Sequence, residues 1–336
     1  MVTIKDVAKA AQVSTATVSR VVNNGPKVGA KTRQRVLDLM HEMGYTPNAN
    51  ARALASQKST TLGVVIPELT DPFFASLANG VELVARQNNM QLLLSTGLYS
   101  AETELQAIQL LVEQRCETIV VHSKKLADAT LLELANKVPG LVLIDRHIPE
   151  IEHRCVWLDN LEGGKIAGRY FLSLQHSRVA CINSHYEIDD PKLRLQGFRQ
   201  VIAESGHPID EELIVSNEPS LKGGELAAQQ LLAKGKTFSA VFAYNDAMAI
   251  GAISVFEDNG FKVPGDVSVI GFDDVLLSRY SRPKLTTLRY PIQEMAEISA
   301  NLALKLNANK TIKDQKHKYT PTLVKRESVI FFPHRP

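Results

Sequence analysis

The chain has 336 residues, more than one ordinary hydrophobic core of roughly 100–200 residues organises, so two or three domains are expected. Hydrophobic residues at 44% and charged ones at 22% are ordinary globular values, and no apolar run reaches the roughly 18 residues that a membrane-spanning helix needs. The net charge of +2 is unevenly placed: residues 1–58 hold nine Lys or Arg against three Asp or Glu, which puts the head at +6 and the remainder at −4.

The N-terminus, MVTIKDVAKAAQ, interleaves charges with small apolar residues and shows no secretory pattern, so a cytoplasmic protein is expected. Thr3 and Asp6 have the spacing of a capping box that opens a helix over Ile4–Ala11, with Val7, Ala8 and Ala11 on its core face. After a short joint at Gln12-Val13, Ser14 is placed to cap a second helix running to about Val22, which Gly25-Pro26 stops. A third helix near Ala30–Met43 turns Val36, Leu37, Met40 and Met43 inward and ends at Gly44. Three short helices with a tight first joint are the spacing of a helix-turn-helix.

The second helix has an awkward composition, because Ser, Thr and Val are not favoured in helix interiors. A helix that enters the major groove needs short side chains that let its backbone approach, with donors for the phosphates on either side. Ser14, Thr17, Ser19 and Asn23 supply hydroxyls and an amide, Arg20 has the reach for a guanine edge, and Thr15 and Ala16 stand at the start. An ordinary amphipathic helix accounts for Val18, Val21 and Val22 but not for the hydroxyls, and a basic cluster is by itself often only a solvated face. Pro47–Ala55 is helix-prone but too short to be helical alone in water, so it is either a flexible linker or a segment that folds on a partner.

From Leu62 onward, short apolar runs alternate with amphipathic stretches: LGVVIPEL, QLLLSTGL, ETIVVHS and LVLIDRH, then CVWLD, RVACINS, ELIVSN, SAVFAYND and VSVIGFDD. Continuous apolar strands alternating with helices indicate an α/β fold with parallel sheets covered on both faces. About ten strands exceed one comfortable sheet, so two similar lobes are expected, with LTTLRYPI returning the chain to the first. The expected organisation is a head at 1–46, a hinge and linker at 47–60, and a core at 61–336. Lobe 1 takes about 61–160 and 291–320, and lobe 2 about 161–290 and 321–336.

Ligands of open α/β sheets sit beyond the strand C-termini. Sugars are held there by carboxylates, amides, Arg and aromatic faces. Asp71, Phe73, Phe74, Asp145, Arg146, Arg194, Asn245 and Asp273 are the candidates, each open to the plainer role of capping the next helix. Paired carboxylates also suit a glycosidase, but no GxGxxG, P-loop, GxSxG or HExxH accompanies them. Cys116, Cys155 and Cys181 fit no zinc or disulfide spacing, and His122, His147, His153 and His185 are scattered, so no metal, cofactor or catalytic site is expected.

TIKDVAKAAQVSTATVSRVVNN followed by KTRQRVLDLMHEMGYTPNANARALA resembles the head of the lactose/galactose repressor family, and the likeness runs through nearly the whole chain. TDPFFASL, LDNLEGGKIAG, YNDAMAIGA and VIGFDD resemble the family and its periplasmic sugar-binding relatives. QRCETIVVHSK, HRCVWLDN, GFDDVLLSRY, LTTLRYPI and TPTLVKRESV are most similar to its galactose-operon repressors and isorepressors. The resemblance implies that Thr15, Ala16 and Arg20 read bases while Thr3, Ser14, Thr17, Ser19, Asn23 and Tyr45 hold phosphates. It implies that two hinge helices pair in the minor groove of double-stranded operator DNA, with Asn48, Ala51 and Leu54 at the DNA and Leu54 wedged between base steps. It also adds Asp159 and Tyr290, as looser matches, to the effector candidates, and implies a homodimer that a sugar releases from its operator. No membrane partner is implied. Gly29 departs from the family, which usually has Ser capping the third helix, and FFPHRP shows no heptads, so the lactose repressor's tetramerising coiled coil is not expected. Asp145-Arg146 stands where galactose repressors usually carry Asn-Arg, and ribose-binding relatives share the Asp. Galactose is therefore the first choice of effector, with ribose or another aldose behind it. A corepressor-dependent regulator and a sugar-binding transport protein remain the alternatives.

Overall fold

The computed structural model describes residues 2–23, 25–45, 60–310 and 317–332. They form two units that divide after Thr60. The hinge candidates Asn48, Ala51 and Leu54 lie outside the described residues.

The head holds three helices, α1 (Ile4–Ala10), α2 (Thr15–Val22) and α3 (Ala30–Glu42). Asp6 closes the start of α1 by accepting from the Thr3 amide at 2.9 Å and the Thr3 hydroxyl at 2.7 Å. At its end the Val13 amide donates to the Ala8 carbonyl and the Gln12 amide to that of Lys9, a Schellman turn that puts Gln12 in the left-handed region at φ 49°. Ser14 then caps α2, its hydroxyl accepting from the Thr17 amide at 3.1 Å. The Arg33 guanidinium donates to the Gly25 carbonyl at 2.7 Å and ties α3 to the turn that follows α2. Val7, Ala8, Ala11, Val18, Val21 and Val36 form the buried core, with Leu39, Met40, Met43 and Tyr45 packed against it. Leu37, expected inside, is 42% exposed, and Leu39 takes its place. The inward stripe of α3 advances from Val36 by three or four residues at a time, and a neighbour one step along points about 100° away. Gly29 precedes α3 with no side-chain cap.

In the core unit the first sheet runs β1 (Thr61–Ile66), β2 (Gln91–Thr96), β3 (Thr118–Val121), β4 (Gly140–Ile144) and β5 (Cys155–Leu158) in chain order. Helices α4 (Pro72–Gln87), α5 (Ala101–Glu113) and α6 (Asp128–Lys137) connect its strands. The second runs β6 (Val179–Ser184), β7 (Ile214–Asn217), β8 (Ala240–Ala243), β9 (Ser268–Asp273) and β10 (Thr286–Arg289). Its helices are α7 (Asn160–Ser173), α8 (Asp189–Glu204), α9 (Leu221–Ala233), α10 (Asp246–Asp258) and the short α11 (Leu276–Tyr280). After β10 the chain returns to the first lobe, where α12 (Ile292–Asn307) packs on α4 and on β3 and β4.

Two strands of three residues, β11 (His317–Tyr319) and β12 (Thr322–Val324), complete the sheets and were not expected from sequence. The spatial orders are β11-β5-β4-β3-β1-β2 and β12-β10-β9-β8-β6-β7, parallel throughout except for β10 with β12. The central strands TIVV, GLVLI and AVFA are buried at every position, which is why their sequences are continuously apolar. The described chain passes between lobes at Asp159, at Tyr290-Pro291 and at Thr320-Pro321.

Candidate effector cleft and DNA-reading helix

In α2, Val18 and Val21 face the core while Ser14, Thr15, Ala16, Arg20 and Asn23 are exposed, with Thr17 and Ser19 half-buried at the edge of that face. The Arg20 guanidinium has no partner among the described residues. Thr3 is tied to Asp6, and Tyr45 leans on the core. The helix thus presents small residues and one free cation on its open side, the surface a groove admits.

Between the lobes, at the C-terminal ends of both sheets, lies a cavity of about 60 Å³. Asp71, Phe73, Phe74, Asp145, Arg194, Asn245, Asp273 and Tyr290 line it together. Asp71 and Asn245 also cap α4 and α10, accepting from the Phe73 amide at 2.8 Å and the Met248 amide at 2.9 Å, so capping and cavity lining are not exclusive roles. Phe73 packs edge-on against Phe74 and Tyr290, with ring centroids 5.2 and 4.9 Å apart.

Asp145 directly follows β4 and Asp273 ends β9, and both sit at positive φ, 58° and 108°. Non-glycine residues are rarely held there unless the surroundings impose it, and such strain gathers at functional sites. Burial would raise the Asp145 carboxyl, but the Lys124 ammonium at 2.7 Å and His122 at 3.2 Å outweigh it and hold the carboxyl below its usual range. The Tyr290 hydroxyl donates to the same carboxylate. Asp273 goes the other way: burial pushes it well above the usual range although Arg194 lies 3.8 Å away. Arg194 is buried and fixed from several sides. It donates to the Asn160 side chain at 2.9 Å and the Tyr244 carbonyl at 2.7 Å, and its guanidinium lies 3.6 Å from the Phe272 ring centre. This grip depends on close approach of α7 and α8, because a Cβ on Gly164 or Gly197 would overlap the carbonyl of Arg194 or of Leu161.

Arg146 and Asp159 do not line this cavity. Arg146 turns back into its own lobe, donating to the Ser123 carbonyl at 3.1 Å and pairing with Asp128 at 2.7 Å. Asp159 caps α7 through the Glu162 amide and pairs with Lys318 at 2.6 Å. Conversely, Tyr99, His122, Lys124, Tyr186, Asp190 and Tyr244 line the cavity and were not singled out as effector contacts. His122 directly follows β3 and Tyr244 directly follows β8, so extending the strand-end rule to them would have found both.

Residues 3–48 match the model of the bacterial regulatory proteins of the lacI family, and 169–329 that of the periplasmic binding protein-like domain. The chain is 47% identical to the HTH-type transcriptional regulator GalR of Salmonella typhimurium, over 98% of this chain and 96% of that protein. The chain belongs to the LacI family. The Escherichia coli K12 regulator GalR is 46% identical over the same shares. Among solved structures, the lac repressor dimer bound to operator and the anti-inducer ONPF superposes with a TM-score of 0.87 at 26% identity, covering 98% of this chain and 99% of that one. A LacI-family regulator from Enterococcus faecium with bound ribose gives 0.73 at 27%, covering 81% and 100%. This LacI-family protein is accordingly a DNA-binding transcription regulator with a sugar-effector core, not an enzyme. Among its described residues no helix is long and apolar enough to cross a membrane.

Proposed function

We propose that this regulator is a homodimeric repressor of a galactose-utilisation operon, released from its operator when galactose enters the interlobe cavity. The observation that carries the reading is the cavity itself, where eight sugar-suited side chains drawn from both lobes meet around one small space of about 60 Å³. The identity to GalR and the resemblance of the segments quoted above to galactose-operon repressors select galactose. In this reading Thr15, Ala16 and Arg20 read bases, Thr3, Ser14, Thr17, Ser19, Asn23 and Tyr45 hold phosphates, and 47–60 is the hinge, with Asn48, Ala51 and Leu54 on the DNA. Dimerisation is supported by large apolar side chains left exposed on α11, where Leu276 and Tyr280 are 63% and 72% exposed, and by Leu221 and Leu226 exposed on α9.

A second reading, ribose, draws on Asp145, which accepts hydroxyls but cannot donate to them. Fluorescence anisotropy of labelled operator, titrated with galactose and then ribose, tests both. Galactose is expected to weaken operator binding at least tenfold, about 1.4 kcal/mol of coupling between the two sites. Tighter binding with sugar reverses the sign to corepression, a response to ribose alone replaces galactose, and indifference to both overturns the reading.

A further inference from the structure

Beside the effector cavity lies a second, larger hollow of about 560 Å³. Lys124, Asp145, Ile188 and Asp190 line both spaces and so form the wall between them. The wall is built from both lobes: Lys124 and Asp145 follow β3 and β4, while Ile188 and Asp190 open α8. Its centre is one ammonium between two carboxylates, with Lys124 Nζ 2.7 Å from Asp145 Oδ2 and 2.8 Å from Asp190 Oδ2, all less than one-tenth exposed. The Lys124 loop is held from behind. The buried carboxylate of Glu104 accepts from the amides of Lys124, Lys125 and Leu126, at 3.1–3.3 Å, and from the Ser123 hydroxyl. A lysine placed this firmly is part of the cleft's shape and not a loose surface group.

Beyond the wall, the chemistry is again that of a polyol site. Asp189 and Glu187 offer acceptors, Lys318, paired with Asp159, and Asn160, which already donates to Asp190, carry further N–H groups, and the Trp157 indole lies with its ring centre 4.3 Å from that of His147. Carboxylates and amides for hydroxyls, with an aromatic ring for a C–H surface, suit a sugar unit as well as the first cavity does.

We propose that Lys124 sets the size of the effector: bridging Asp145 to Asp190, it confines the ligand to one sugar unit and shuts out the second unit of a disaccharide. This rests on the sugar reading above. With the ammonium and its stem removed, the two hollows become one cleft, and the second unit of a disaccharide gains both room and polar partners.

Calorimetry on the full chain tests this with galactose, glucose and ribose on one side and the disaccharides lactose and melibiose on the other. Wild type, Lys124→Ala and Lys124→Ala/Asp190→Asn are compared, each first shown by circular dichroism to melt cooperatively. The double variant removes the facing like charges that the single one leaves between the lobes. Wild type is expected to bind a monosaccharide and to bind both disaccharides at least a hundredfold more weakly. In a folded variant the ratio of disaccharide to monosaccharide dissociation constants is expected to fall tenfold or more. A wild type that binds a disaccharide as tightly as a monosaccharide overturns the proposal, as does a ratio that moves less than tenfold in both variants. If wild type binds no monosaccharide, the sugar reading fails and takes this inference with it, whereas monosaccharide binding with an unmoved ratio sinks the partition alone.

Discussion

Asp145 and Asp273 carry the same carboxyl into the same cleft and meet opposite fates, because burial acts on both and only Asp145 has a cation at 2.7 Å to offset it. A ligand entering here meets one firm acceptor, Asp145, and one carboxyl, Asp273, that holds its proton more readily than usual. Arg194 reaches only the second of them, Asp273 at 3.8 Å, and is otherwise held by Asn160 and the Tyr244 carbonyl. Arg194→Ala should weaken sugar binding a hundredfold or more by calorimetry while leaving operator affinity without sugar within about twofold. Loss of both would mean that the buried guanidinium is needed for folding and not for the effector. On the head, Arg20 is the one residue of the open face of α2 with a bidentate donor. Arg20→Ala should cost about 1–3 kcal/mol of operator binding and narrow the gap between operator and unrelated DNA. Equal losses on both DNAs, measured by competition anisotropy, would reduce Arg20 to a phosphate contact.

At the joint between α1 and α2, a Schellman turn demands a left-handed residue and receives Gln12, at φ 49°, where glycine is the unstrained choice. Gln12→Gly relieves that strain but gives up unfolded-state restriction, for a net gain of about 0.5–1 kcal/mol in head stability. Urea unfolding of the full chain at constant low salt, followed by loss of operator binding, should show the shift, and an unchanged midpoint would place the strain elsewhere. The same joint shows what sequence makes legible. Thr3, Asp6 and Ser14 announce caps because capping needs particular atoms at fixed offsets, and the central strands announce themselves because burial on both faces leaves an unbroken apolar run. HKY and TLV, three residues each at sheet edges, carry no period long enough to detect, and they become strands only because β5 and β10 offer free edges. The cleft was legible where a residue ends a strand or directly follows it, as with Asp273 and Asp145. It was hidden where a side chain reaches in from a loop fixed at a distance, as with Lys124 held by Glu104, or turns away toward a nearer partner, as Arg146 does toward Asp128.

At the scale of the whole molecule, the division of charge decides between a regulator and a transport protein that share this core. A head at +6 on a body at −4 gains from a polyanion only through the head, and the gain comes from releasing counterions condensed on the phosphates. In a dimer with about three to five cations of each head on phosphates, roughly six to ten counterions leave, so operator affinity should fall about 10³–10⁵-fold between 50 and 200 mM salt. Binding of the sugar, carried by a cleft whose charges are buried and paired within the protein, should change far less over the same range, because pairs shielded from solvent are screened much less than exposed ones. Anisotropy and calorimetry at matched salt concentrations measure both. A steep slope for DNA beside a flat one for sugar is expected of a molecule whose two binding events draw on different physics, and a flat slope for DNA would leave the basic head without a phosphate to meet.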